Sequence, residues 1–253
     1  MHNHPPNTLF IGQNTIFLPV CDSTNNELLE RATHLNVTEG TVVITAHQSA
    51  GRGQRGNTWE ARPAQNLTFS VLLKPAFLAA ARQFDLNIAV ALACHRLLSA
   101  YFPGKAALKW PNDLYYGDQK MGGILIENAV KGTVLAQSVV GIGLNVNQTE
   151  FAHPRAVSMR NAARQEFDLT ETLNELLTHL EATYLQLRAG QTEGLRQQYL
   201  GALYGLGQPK LFRVGEAVRE GIIRGVDPSG RLVVEMAGQL YYFGFKEIAF
   251  VWE

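Results

Sequence analysis

Four clusters in the chain have residue types and spacings that can do chemistry. The first is the loop Gly51-Arg52-Gly53-Gln54-Arg55-Gly56. Its glycines let backbone N–H groups approach a ligand closely, and its two guanidinium forks suit a carboxylate or a phosphate. No Gly-Lys-Ser/Thr follows, as a Walker A loop would need, and no helix opens from it as in a dinucleotide fingerprint. A solvated turn with incidental arginines fits the same residues. The second cluster is Lys109-Trp110-Pro111-Asn112-Asp113-Leu114, at the end of a strand that Pro111 stops. An ammonium, an amide and a carboxylate this close can converge on one polar ligand; Asn112-Asp113 can equally serve a plain turn. The third runs from Lys120 through Gly122-Gly123 to Glu127, where two glycines leave room for a ligand against the backbone of an apolar strand. A hairpin-end lysine in water is the alternative. In the fourth, Val139 to Asn147, two glycines and Asn145 interrupt a buried strand, which also fits a bulge.

These clusters need elements to hold them. Thr24 with Glu27 reads as a capping box for a helix, after a short apolar stretch ending at Pro19. The β-branched run Thr41–Ala46 predicts a strand leading into the glycine loop, and Leu67–Leu73 predicts another. Apolar spacing from Ala79 to Leu98 predicts a long helix. Ala106–Trp110, Leu114–Tyr116, Met121–Glu127 and Thr133–Gly141 predict an antiparallel meander. Helices over 169–187 and 192–204 follow. After Gly207 come five short apolar runs split by Gly215, Asp227-Pro228-Ser229-Gly230 and Ala237-Gly238, the texture of a small barrel. The expected plan is an α+β domain over 1–206 and a β-barrel over 207–253.

The 253 residues include 22 Lys+Arg against 22 Asp+Glu, and 46% are apolar. Zero net charge argues against sequence-independent nucleic-acid binding. No apolar run reaches the length of a membrane span, and Met1 to Pro6 does not resemble a signal peptide. Cys21 and Cys94 form no metal or disulfide framework, so free thiols in a cytoplasmic protein are expected.

Ser23-Thr24-Asn25, Gln48 to Gly56, Trp59, Lys109 to Leu114, Lys120 to Glu127 and Gly141 to Asn145, in this order, closely resemble the biotin–protein ligases. The match runs from about residue 16 to the C-terminus. The resemblance implies a class II synthetase-like mixed β-sheet covered by helices, with an SH3-like barrel appended. It also implies two reactions. Biotin and MgATP form biotinyl-5′-AMP and pyrophosphate; a lysine of a biotin carboxyl carrier protein, of acetyl-CoA carboxylase or a related carboxylase, then takes the biotinyl group and releases AMP. The first step brings two anions together, which at about 4 Å repel by about 1 kcal/mol in water and by several times that in a drier site. Fixed cations must offset that repulsion.

By the same resemblance Ser23, Thr24 and Gln48 hold the ureido ring, and Asn25 belongs to their motif, serving mainly to hold its turn. Gly51, Arg52, Gly53 and Gln54 close over the valeryl chain and carboxylate, with Gly123 on the biotin side. Lys120 bridges biotin carboxylate and α-phosphate as the principal catalytic residue, with Arg52, Lys109 and Asp113 in the catalytic set. Arg52, Arg55 and Lys109 meet phosphate; Asn112 and Asn145 face adenosine; Trp59 packs on the nucleotide or walls the site. Asp113 orients Mg²⁺ or accepts a proton from the incoming amine, whose ordinary pKa is about 10.4; as a base, its loss would hurt transfer more than adenylation. Residues 148–162 form a long polar connection that orders over the adenosine. Lys246, near the end of the barrel, could reach the active site, but a surface position is expected.

Gln54 stands where many family members have arginine. The pattern starts near residue 16, which leaves no room in residues 1–15 for a winged helix-turn-helix, so an enzyme without a repressor module is expected. A lipoate or octanoate ligase shares the fold, but its apolar substrate has no need of the Ser-Thr-Asn and Gln48 cluster. A regulator without catalysis would not need Lys109, Lys120 and the loop arginines. No nucleic acid and no membrane enter the expected partners, and a homodimer stays open.

Overall fold

The structure, a computed structural model, describes residues 6–252. The chain opens with strand β1 (Thr15–Cys21), which runs through Pro19 instead of ending there. Pro19 is skipped in the pairing with β2 (Val42–Gln48), and β1 lies at the sheet edge, where a missing N–H is tolerated. Helix α1 (Thr24–His34) follows, but without the expected capping box. Ser23 is the N-cap and makes no side-chain bond, while the Thr24 hydroxyl donates to Gln48 Oε1.

Strand β3 (Leu67–Leu73) and helix α2 (Gln83–Tyr101) come next; a 3-10 turn over Ala80–Arg82 takes the place of the predicted first helical turn. The meander is β4 (Ala106–Lys109), β5 (Asp113–Tyr116), β6 (Gln119–Lys131) and β7 (Val134–Leu144), antiparallel throughout. The seven strands form one mixed sheet in the order β1-β2-β3-β7-β6-β5-β4, in which only β1–β2 is parallel.

Period-two alternation sorts this sheet into two faces. Val42, Ile44, Phe69, Val71, Val140 and Ile142 enter the main core beneath α2 and α4 (Leu169–Arg188). Val43, Leu72 and Val139 pack instead with Leu28 of α1. Thr68 and Ser70 pair with Gly143 and Gly141 across the ladder and so share the α1 face. Asp168 caps α4 by accepting from the backbone of Thr170 and Glu171. The short helix α3 (Met159–Ala163) begins within the polar connection 148–162 and ends just past it, and α5 (Thr192–Gly201) stops before the predicted Tyr204.

The C-terminal strands are β8 (Pro209–Val214), β9 (Ala217–Val226), β10 (Leu232–Met236), β11 (Gln239–Phe243) and β12 (Ala249–Phe250). They pair antiparallel in the order β11-β10-β9-β8-β12, and among the described residues β11 and β12 remain edges, so the ladder is not closed. Phe212, Ile223, Leu232 and Val234 join the same core as the large sheet, and Trp110 Nε1 donates to Gly230 O at 2.9 Å.

Candidate active site

A cavity of about 350 Å³ opens between the large sheet and the C-terminal sheet. At one end Thr24 N donates to Gln48 Oε1 at 2.7 Å, and Ser23 and Thr24 are nearly wholly buried. Ser70 Oγ donates to Asn25 Oδ1 at 2.6 Å and sits 2.7 Å from Thr24 Oγ1. Gly141 exists to admit this amide: a Cβ there would stand 2.3 Å from Asn25 Oδ1. Gly143 does the same for Trp59, with 2.4 Å to the indole. The ladder keeps its register at both positions, so these glycines mark seats for side chains and not a bulge.

The glycine loop folds on itself. Trp59 N donates to Gly51 O at 2.9 Å and Gly53 N to Asn57 O at 2.7 Å, around a 3-10 turn over Gln54–Gly56. Arg52 turns its fork to Glu127, with Nη2 to Oε1 at 2.7 Å and Nη1 to Oε2 at 3.3 Å, and Asn25 Nδ2 donates to the same Oε2 at 2.8 Å.

At the other end two lysines share one carboxylate. Lys120 Nζ is 2.6 Å from Asp113 Oδ1 and Lys109 Nζ is 3.6 Å from Asp113 Oδ2. Lys109 also lies 5.4 Å from the Tyr115 ring centre and 5.2 Å from that of Phe250. Burial pulls its ammonium below the ordinary lysine range; Asp113 opposes this and Lys120 adds to it. In its protonated form, which Asp113 favours, this lysine donates hydrogen bonds to an anion in the cavity.

The β5–β6 register shifts at this point: Leu114 faces Gly122 but Tyr115 faces Lys120, so Met121 is an extra residue. In a regular strand Lys120 and Gly123 would point to opposite faces; the bulge reverses the parity, and the Lys120 ammonium comes within 3.5 Å of the Cβ position at Gly123. The backbone of Lys120 is held in turn by the 148–162 connection, Lys120 N donating to Arg155 O at 2.7 Å and Val157 N to Lys120 O at 2.9 Å. That connection is thus a strap with its own short helix, and Arg155 lies 4.2 Å over the Trp252 ring.

The cavity wall brings together Ser23, Thr24, Asn25, Gln48, Arg52, Gly53, Gln54, Trp59, Lys109, Asn112, Asp113, Lys120 and Gly123. Two expected residues are not on it. Gly51 is packed against Trp59 O, where a Cβ would stand 2.2 Å away. Asn145 is buried behind the wall, donating to Val157 O at 3.2 Å. The Arg55 side chain lies outside the described residues. Asn112 turns its amide to Ile124 O at 2.6 Å. Lys246 is exposed, as expected, and also lines the cavity with Phe250 and Trp252. Glu127, Ser70 and the C-terminal wall were not singled out from sequence; the Glu that closes the Lys120 cluster was the only signal available.

A protein-held Mg²⁺ does not fit these residues. No group of three His, Cys, Asp or Glu side chains able to hold a metal occurs among the described residues, and both Asp113 oxygens face ammonium groups.

Residues 17–145 match the model of the biotin/lipoate A/B protein ligase family. The chain belongs to that family. It is 34% identical over 220 residues to the biotin–[acetyl-CoA-carboxylase] ligase of Paracoccus denitrificans, covering 84% of this chain and 90% of the relative. It is 32% identical over 235 residues to the bifunctional ligase/repressor BirA of Escherichia coli K12, covering 90% of this chain and 71% of that one. Among solved structures, the biotin protein ligase from Aquifex aeolicus in complex with biotin and ATP superposes with a TM-score of 0.79 at 25% identity, covering 94% of this chain and 99% of that chain. Membership of the biotin/lipoate ligase family agrees with the α/β architecture and the mixed sheet described above.

Proposed function

We propose that the protein is an ATP-dependent biotin–protein ligase. The observation that carries this is the pair Lys109 and Lys120, held by Asp113 in a cavity whose far end is the polar Ser23–Thr24–Gln48 pocket. A carboxylic acid with a polar head fits that layout: head on Gln48 and Thr24, carboxylate at Lys120. A biotin carboxylate oxygen attacks the α-phosphorus of ATP and pyrophosphate leaves, giving biotinyl-5′-AMP. The ε-amine of a carrier lysine then attacks the acyl carbon and expels AMP. The relatives' names supply the substrate class: ligases of biotin to acetyl-CoA carboxylase, and a neighbour bound to biotin and ATP. The partner is accordingly a biotin carboxyl carrier protein.

In this scheme Lys120 meets the attacking carboxylate and the α-phosphate, and Lys109 the phosphates. Ser23, Thr24, Asn25 and Gln48 receive the ureido ring, with Gly51, Arg52, Gly53, Gln54 and Gly123 around the chain and carboxylate. Trp59, Asn112 and Asn145 serve the nucleotide, Asn145 from behind the wall, and Arg55 the phosphates. Asp113 fixes the two ammonium groups against their mutual repulsion. Mg²⁺ arrives bound to ATP, not to a protein cage.

The same proposal reads residues 1–206 as the catalytic domain and 207–253 as an SH3-like barrel, supported by five short antiparallel strands around Phe212, Ile223 and Val234. It takes the protein as cytoplasmic, in keeping with two free thiols; no helix among the described residues is long and apolar enough to cross a membrane. A second copy or the carrier would add at edge strand β1, where Phe17 and Val20 are exposed.

Biotin-dependent ATP–pyrophosphate exchange, followed by transfer to an apo-carrier domain, tests the scheme, with lipoate and octanoate run in parallel. Exchange with lipoate but not biotin, or none with any of the acids, would overturn it.

A further inference from the structure

We propose that Glu127 is a positioning residue that latches the glycine loop over the biotin site and sets the ureido pocket through the same carboxylate. This rests on the cavity taking biotin. Gly123, Leu125 and Glu127 follow one another at period two along β6, so Glu127 stands on the cavity face, two positions beyond the strand's contact with Asn25. From there its two oxygens do separate work. Oε1 takes Arg52 Nη2 at 2.7 Å; Oε2 takes Arg52 Nη1 at 3.3 Å and Asn25 Nδ2 at 2.8 Å.

The loop has few other holds. Its own backbone bonds, Trp59 N to Gly51 O and Gly53 N to Asn57 O, make it a closed flap. Among the described residues, the side-chain hydrogen bonds that leave residues 51–58 for the rest of the protein start at Arg52 and end at Glu127 and Asn26. A planar fork gripping a carboxylate at two points fixes orientation as well as distance. On the other side the chain of contacts passes from Glu127 to Asn25, to Ser70, to Thr24, to Gln48. One carboxylate therefore ties the flap to the donors at the head of the pocket.

Charge alone gives the opposite expectation. A carboxylate beside a site for anions repels them, so removing its charge should tighten the binding of biotin and ATP. A latch gives the reverse sign: without it the flap opens and biotin leaves faster.

The test compares wild type, Glu127→Gln, Arg52→Gln and the double variant by biotin titration and by pyrophosphate exchange. Each single variant should raise the KM for biotin and the release rate of biotinyl-5′-AMP by about tenfold or more. The kcat for adenylation of Glu127→Gln should stay within about threefold, because the cations of the site are untouched, whereas Arg52→Gln, which also removes one of those cations, should lose kcat as well. The double variant should be no weaker than the weaker single one, since both remove the same contact. Biotin KM unchanged or lowered in Glu127→Gln, or losses that add in the double variant, would overturn the latch. Should Glu127→Gln not fold, Arg52→Gln carries the test from the loop side, and wild-type affinity there overturns it equally. Absence of biotin binding by wild type would instead sink the functional proposal, so the two failures are separable.

Discussion

Lys120 reaches Asp113, 2.6 Å from ammonium to carboxylate, only because Met121 is an extra residue in β6 opposite β5. The bulge moves the lysine from the core face to the cavity face, where Asp113 already holds Lys109 from β4. Three cations, Arg52, Lys109 and Lys120, face two carboxylates, Asp113 and Glu127, leaving one net positive charge among these described groups. The site is preorganised less by excess charge than by ammonium groups already fixed in direction.

Replacing Lys120 removes the group nearest the expected reacting carboxylate. Lys120→Ala should lower biotin-dependent pyrophosphate exchange by about a hundredfold to a thousandfold, the size seen when one preorganised donor is lost from a reacting centre. The fold should persist, since the side chain is partly exposed. Wild-type exchange rates would refute its role.

Asp113→Asn tests whether the carboxylate is a base or a brace. A base acting on the carrier amine would spare adenylation. With both oxygens turned to Lys109 and Lys120, the brace predicts loss in both half-reactions, read by single-turnover measurement of adenylate formation and of transfer. The variant should also lose activity at lower pH on the alkaline side. Burial already depresses the Lys109 pKa and Asp113 raises it, so removing Asp113 depresses it further and the ammonium discharges sooner. An alkaline limb that stays put would argue against Lys109 as the titrating cation.

The motifs themselves were legible because they are contiguous: the glycine loop, the Lys109–Asp113 strand end and the Lys120 glycine strand each announce a polar ligand in a few residues. Glu127 and Ser70 were not, because a Glu late in one strand and a Ser within another acquire meaning only from the β3–β7–β6 register that sets them beside Asn25. Met121 gives no sign of a bulge, since a buried Met suits a regular strand as well. Lys246 and Trp252 reach the wall from more than a hundred residues beyond Lys120, through a packing of two sheets that no local pattern encodes. The place of Asn145 behind the wall has a related cause: the strap takes its amide nitrogen at Val157 O and its backbone carbonyl at Met159 N, leaving Oδ1 without a partner among the described residues.

Gly143→Ala should displace Trp59, because the new methyl would stand 2.4 Å from the indole. Overpacking of this kind costs about 1–3 kcal/mol where nothing can yield; here the indole is the part able to move. A change in tryptophan fluorescence with a raised KM for ATP or biotin is expected, and a variant with wild-type emission and kinetics would show that the indole does not wall the site.

Lys109→Met separates stability from function at one position. Folding lowers the pKa of Lys109, so in the window between its folded pKa and the unfolded value the unfolded chain binds more protons, and this group's contribution to stability rises with pH there. Where folded and unfolded states both carry the ammonium, the buried charge is a net penalty despite Asp113 and the flanking rings of Tyr115 and Phe250. A methionine of similar length fills the same space without that penalty, and Lys120 remains to pair with Asp113. The variant should therefore melt at the same temperature or higher at pH 7, with the gain shrinking as pH approaches the ordinary lysine range, while pyrophosphate exchange falls by about a hundredfold. Thermal denaturation across pH checks the first half and exchange kinetics the second. A variant less stable at pH 7 would mean that the ion pair outweighs the desolvation of the ammonium, and that Lys109 stabilises the fold it serves.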